Sequence, residues 1–454
     1  MSIEPNRQRR TLPCALILHG ALFFIALVPT RAGSPPAETG KYTGPGSCSS
    51  TSCHGSVTPR ADSRIFQNEY SIWVVKDKHA KAYDALTGAV GERMGRILGV
   101  GKSEQAAKCL ACHALDVPVE ARARTFELNE GVSCESCHGP ASAWLGPHTT
   151  RTWTHEQSVS AGLVDTRNLV RRTERCLTCH LGTQDQFVDH EMIAAGHPDL
   201  YFELDSFSSV MPRHWKTPRE SAPGVPVENG GWSGVREWGT GQGVQLRSSM
   251  ERLAWRAKSK NWPEYSELQC FACHHSLTAP EQSWRQERGY AGRRPGDPPW
   301  NASRYAVFRE LAHQVDDADA TRLDDQIAQV SKALSQLNPD RDAVATAAAG
   351  AISLSNQIVS RIEAQPNDAA MTLRLMQRIS NDGDEISNEG ERAAEQAAMA
   401  LDSLFIAYLR AEKMTNAADI RVAINGLFQQ LENPSSYNPA DFARQMRKLS
   451  SSLR

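Results

Sequence analysis

Apolar residues recur at three- and four-residue spacing through the last third of the chain, the period of a helix rather than a strand. The stretches Leu373-Leu375-Met376-Ile379 and Ala400-Leu401-Leu404-Phe405-Tyr408-Leu409 each lay apolar side chains along one face. Asn338-Pro339, Pro366-Asn367-Asp368 and Asn433-Pro434 separate them with breaks and ready capping residues. Four or five amphipathic helices packed as a bundle over 301–454 are the expectation, a structural cap or an interaction module. This segment has no cysteine and a single histidine, His313.

Upstream the pattern breaks up. Residues 217 to about 250 are rich in Gly, Pro and Ser, including Asn229-Gly230-Gly231 and Gly239-Thr240-Gly241-Gln242-Gly243, and read as a long surface loop. Arg293 to Trp300 reads as a Pro/Gly-rich hinge. At the start, Arg7, Arg9 and Arg10 precede an apolar stretch from Leu16 to Val28 that His19 and Gly20 interrupt. Thr30-Arg31-Ala32 then offers small residues for cleavage after Ala32, so 1–32 reads as an export signal, with an uncleaved N-terminal anchor as the alternative. The apolar run is short and interrupted for a membrane span.

The chemistry lies between these regions. Five stretches end in Cys-His with a second cysteine upstream, and they use ten of the eleven cysteines. Four are C-x-x-C-H: Cys109/Cys112-His113, Cys134/Cys137-His138, Cys176/Cys179-His180 and Cys270/Cys273-His274. The fifth, Cys48 to Cys53-His54, has four residues between its cysteines. Two thiols one helical turn apart each bond a vinyl carbon of one porphyrin, and the next imidazole falls under the iron. C-x-x-C-H is the signature of covalent haem attachment. A zinc ribbon needs no histidine beside its cysteines, and a thioredoxin-like pair needs a βαβ context absent here. The longer Cys48/Cys53 loop also admits a disulfide; His54-Gly55 and the four neighbouring motifs favour haem. Five covalent haem c groups are expected.

Composition fits a core built partly from cofactor: hydrophobic residues reach 40% and mean hydropathy is −0.47. The net charge of −2 gives no sign of a nucleic-acid partner. The expected fold is mainly α: a multihaem core over 33–300 with little regular sheet, then the helical bundle.

Seven more histidines lie between 33 and 300: His79, His148, His155, His190, His197, His214 and His275. A second protein ligand on each iron suits electron transfer, and an open face suits substrate chemistry. His79, His148, His190, His197 and His214 are the candidate distal ligands. His79 lies on a segment read as helical from Trp73 to Leu86, with Tyr83 and Leu86 on its face. His148, ten residues past His138, suits a neighbouring haem. His155 reads as a surface residue, His275 as a pocket hydrogen-bonding group, and Met94, Met192 and Met211 as core filler.

The stretch 48–181 resembles the tetrahaem cytochrome c of nitrification, the electron acceptor of hydroxylamine oxidoreductase. The residues carrying the likeness are His79-Ala80-Lys81-Ala82, the run Gly131 to Pro140 around Cys134-Glu135-Ser136-Cys137-His138, His148, and Cys176 to Leu181. The resemblance implies that His148 caps the haem of His54, that His79 caps the haem of His138, and that the haem of His113 is five-coordinate. The longer first motif, the fifth haem and the helical tail depart from the family, and His190, His197 or His214 are at hand to fill the open site. No C-x-x-C-K occurs, which counts against nitrite reduction. Two readings follow. One is a periplasmic electron relay between a quinol-linked or enzymatic donor and a redox acceptor; the other is an oxidoreductase acting on a small nitrogen or sulfur compound at one open haem.

Overall fold

The structure, a computed structural model, describes residues 40–216, 232–287, 293 and 297–454. The leader over 1–32, the segment 217–231 of the expected loop and most of the expected hinge lie outside the described residues. Helices dominate what is described, and the β pairings among these residues are two isolated bridges, Tyr42 with Arg122 and Leu268 with Trp300. The fold is mainly α.

Short helices carry the attachment motifs. Ala107–His113, Cys134–His138 and Leu169–His180 each end on the motif histidine, and Cys270–Cys273 is capped by His274. The two thiols of each motif thereby lie on one turn, with the imidazole at the next step. Apolar clusters here are small. Leu86, Leu110 and Ala114 form one; Leu177, Leu181, Phe202, Leu204, Val244 and Val359 form another.

The main core is elsewhere, running from Trp232 to Leu453. It crosses the expected domain boundary at residue 300, because Trp238, Leu246, Leu253, Trp284 and Trp300 pack with Phe308, Leu401 and Phe442. The Ser233–Lys258 helix is its axis, and here the expected surface loop is corrected. Gly239, Gly241 and Gly243 are buried within that helix. A Cβ on Gly241 would lie 2.6 Å from Leu204, and one on Gly243 would lie 2.5 Å from Val359. These glycines are therefore close-approach positions on a helix, where glycine's propensity cost is offset by packing. Composition alone misled, since the same residue type marks turns and tight helix contacts.

The tail has its expected punctuation. Asp340 caps the Arg341–Ala364 helix through the amide of Ala343, and Asp368 caps Ala369–Asn381 through Met371. Such caps are worth about 1 kcal/mol each. Leu375, Met376, Ile379, Leu401 and Leu404 are fully buried, as the helical period predicts. Among the described residues there are more helices than four or five, with Asp317–Leu334, Glu391–Ala411, Ala417–Gln429 and Pro439–Ser452 completing the larger ones.

A candidate site of paired imidazoles

Histidines distant in sequence meet face to face or edge to face. The ring centres of His54 and His148 are 6.3 Å apart and nearly parallel, at 6°. His113 and His197 lie 6.3 Å apart, His79 and His180 6.1 Å, and His190 and His274 6.0 Å. For two imidazole nitrogens each about 2 Å from one metal, with the ring centre roughly 1 Å further back, the centres fall about 6 Å apart. His138 is the remaining motif histidine. Burial pushes its imidazole down to about 4, and among charged neighbours His214 contributes most to that shift.

No group of three or more His, Cys, Asp or Glu side chains converges on a metal position among the described residues. Pairs of imidazoles without further ligands suit a metal that brings its own equatorial donors, as haem iron does. The ten motif cysteines are all free thiols, so Cys48 and Cys53 form no disulfide. The residues present therefore fit haem.

Six of the rings are aimed through their other nitrogen. Nδ1 of His54 bonds Glu69 at 2.9 Å, Nδ1 of His79 bonds Asp77 at 2.9 Å, and Nδ1 of His113 bonds the Ala82 carbonyl at 2.9 Å. His148 and His197 use the carbonyls of Trp144 and Pro198 in the same way, at 3.1 and 2.8 Å, and His214 uses Pro212 at 3.2 Å. Such bonds fix tautomer and orientation and leave Nε2 for a metal. The hydrogen bonds to Glu69 and Asp77 raise the pKa values of His54 and His79. Burial lowers His180 to about 4, so it is neutral, the form that ligates. His155 shows the reverse arrangement, with Nε2 bonded to Asp165 at 2.9 Å. His275 Nδ1 bonds the Ser276 carbonyl, and His313 is held by Asp317 and Asp324 through both nitrogens. Met192 is buried filler.

His79 departs from the pairing that the resemblance implied. Asp77 breaks the expected helix by capping a new turn at His79, so Tyr83 and Leu86 swing away to pack near Leu110 and Cys109. The backbone carbonyl of His79 accepts the amide of Val132, ahead of the third motif, while its ring faces His180 of the fourth. His190 and His197 likewise part company, because Gly196 at φ 113° turns the chain after the His190–Ala194 helix.

The motifs are also tied together. The thiol of Cys48 lies within hydrogen-bonding reach of Cys134, and that of Cys112 within reach of Cys179, so the first motif borders the third and the second borders the fourth. Glu135, buried inside the third motif, accepts the amides of Thr43, Gly44 and Ala141 at 2.7–2.9 Å and so holds the approach to the first. Phe202 and Phe207 pack on His180 with ring centres at 5.4 and 5.1 Å. Glu69 and the two phenylalanines gave no signal in the sequence, and Glu135 stood out only as part of its motif. Asp77, two residues before His79, is a residue type that favours helix caps, a signal that the reading of Trp73 to Leu86 as one helical segment passed over.

Paired imidazoles beside C-x-x-C-H motifs are the ligand set that a c-type cytochrome uses. The family model described as cytochrome c554 and c-prime matches residues 48–139, the stretch that holds the first three attachment motifs, and this match supports a multihaem cytochrome c family. Covalently bound haem c and electron transfer with redox partners are what that likeness supports. No curated protein and no solved structure gave a match.

Proposed function

We propose that the chain is an exported pentahaem cytochrome c that relays electrons through five haems, each held by two imidazoles. The thiols of Cys48/Cys53, Cys109/Cys112, Cys134/Cys137, Cys176/Cys179 and Cys270/Cys273 would anchor them. His54 with His148, His113 with His197, His138 with His214, His180 with His79 and His274 with His190 would supply the axial nitrogens. The carrying observation is that four ring contacts use four motif histidines and four candidate distal histidines once each, which leaves His214 for His138. Haem supplies the one-electron couple; the chain fixes the imidazoles, excludes other ligands and sets spacing. With each of the five candidate distal imidazoles assigned to one haem, the reading favours transfer over chemistry on a small nitrogen or sulfur compound.

The thiol contacts support two close pairs in this relay, first with third and second with fourth, joined to a fifth haem beside the helical core. A quinol-linked or enzymatic donor and a redox acceptor are the partner classes this implies, and the leader supports a periplasmic site, free or N-terminally anchored. No helix among the described residues is long and apolar enough to cross a membrane. Electron paramagnetic resonance of the oxidised, fully loaded protein tests the reading. Low-spin signals alone are expected; a stoichiometric high-spin iron would overturn it in favour of the open-haem oxidoreductase.

A further inference from the structure

The long Ser233–Lys258 helix carries two buried arginines that meet on one carboxylate. Glu267, 3% exposed, receives Arg252 Nη2 at 2.9 Å and Arg256 Nη1 at 2.6 Å. Burial works to raise the Glu267 carboxyl, yet the two guanidiniums hold it down to about 2, so the triad is charged throughout. Each arginine has a second arm, and those arms reach different haem sites. Arg252 Nη1 donates to the carbonyl of Leu181, the residue after His180, at 2.8 Å. Arg256 Nη2 donates to the carbonyl of Val188, two residues before His190, at 2.7 Å.

The carboxylate itself lies three residues ahead of Cys270, on the segment leading into the fifth motif. Its backbone carbonyl accepts the amide of Asn301, and the neighbouring Glu264 accepts the amide of His190 at 2.9 Å. One buried ion cluster thus touches the end of the helix bearing His180, the approach to His190 and the approach to Cys270. A buried charge cluster carries a desolvation cost that an apolar core would avoid, so stability alone is a weak reason for it. A planar fork that serves two acceptors at once is what arginine adds over lysine.

We infer that Arg252, Arg256 and Glu267 are positioning residues that lock the fourth and fifth haem sites to one helix and fix their separation and axial geometry. Arg252 sets the His180 end, Arg256 sets the His190 end, and Glu267 couples the two. This rests on the pairing of His180 with His79 and of His274 with His190 proposed above.

The test uses the fully loaded protein with Arg252→Lys and Arg256→Lys, which keep the charge and lose the second arm. The fourth and fifth centres are first assigned by the low-spin signals lost in His79→Ala and His190→Ala. Arg256→Lys is expected to shift the g-values and midpoint potential of the fifth centre and leave the fourth; Arg252→Lys is expected to do the reverse. Covalent haem content and cooperative unfolding should stay at the wild-type level. Unchanged signals at both centres in both variants would overturn the proposal. Should a lysine variant fail to assemble, the triple variant Arg252→Met, Arg256→Met, Glu267→Met removes the charges together. It is expected to keep its haems while both signals shift, and wild-type signals in it would overturn the proposal equally. Because shifts are read against the wild type, a high-spin iron in the wild type would sink the relay reading without deciding this one.

Discussion

His79 and His180 meet at nearly a right angle, 89° between ring planes, with their centres 6.1 Å apart. The second-position carboxylate of Asp77 fixes the first ring, and Phe202 and Phe207 wall in the second. Replacing His79 by alanine should open the iron of the Cys176/Cys179 haem while leaving covalent haem content unchanged, since attachment depends on the cysteines. One low-spin signal should convert to high spin and the protein should gain one cyanide-binding site. The same conversion should persist when Cys134 and Cys137 are replaced by alanine; its disappearance there would return His79 to the third haem.

His214→Ala should open the third haem, because the ring contacts of the other four candidate distal histidines leave His214 for His138. His155→Ala should open none, since its Nε2 is committed to Asp165. Counting high-spin irons by paramagnetic resonance in the two variants decides the matter, and a new high-spin iron in His155→Ala would contradict the pairing.

Gly243→Ala tests the buried glycine face. Helix propensity alone favours alanine by about 1 kcal/mol, but its Cβ would meet Val359 at 2.5 Å and Phe308 at 3.1 Å. Overpacking of this kind costs about 1–3 kcal/mol. The melting temperature should therefore fall, whereas a solvent-exposed loop glycine in this position would leave it unchanged or raise it.

Glu203 gives a pH dependence. It is fully buried and accepts hydrogen bonds from the amides of Asp205 and Ser206 and the hydroxyls of Ser206 and Ser403. Burial nevertheless pushes its carboxyl up from 4.5 to about 7. The folded state then binds more protons than the unfolded state between those values, so this group's contribution to stability falls as pH rises through that window. The shift corresponds to at most about 3 kcal/mol. Glu203→Gln should flatten the slope of unfolding free energy between about pH 4.5 and 7, measured by urea denaturation; an unaltered slope would remove Glu203 as its source.

The attachment motifs were legible because covalent chemistry demands a fixed local spacing, so Cys109 to His113 can be read without knowing the fold. The five distal candidates could be named as a set, since few histidines were available, and four of them meet motif histidines in the structure. Their partners could not be named, because pairing depends on how loops cross: Asp77 turns His79 toward His180, and Gly196 sends His197 away from His190. The tail helices followed from the period of Leu375, Met376 and Ile379. The Ser233–Lys258 helix stayed hidden because its glycines serve neighbours more than a hundred residues distant in the case of Val359, a relation that no local pattern records.

The contact of Cys48 with Cys134, and of Cys112 with Cys179, has a bearing on how the molecule is made. If the protein is exported as proposed, thiols held that close would be poised to join as disulfides in an oxidising compartment. The compact chain would bring together partners from different motifs, Cys48 with Cys134 and Cys112 with Cys179, and each such bond would strand two attachment sites at once. Thioether formation at one cysteine of each pair removes the hazard. On the reading proposed above, haem attachment is then expected to run ahead of compaction of the chain.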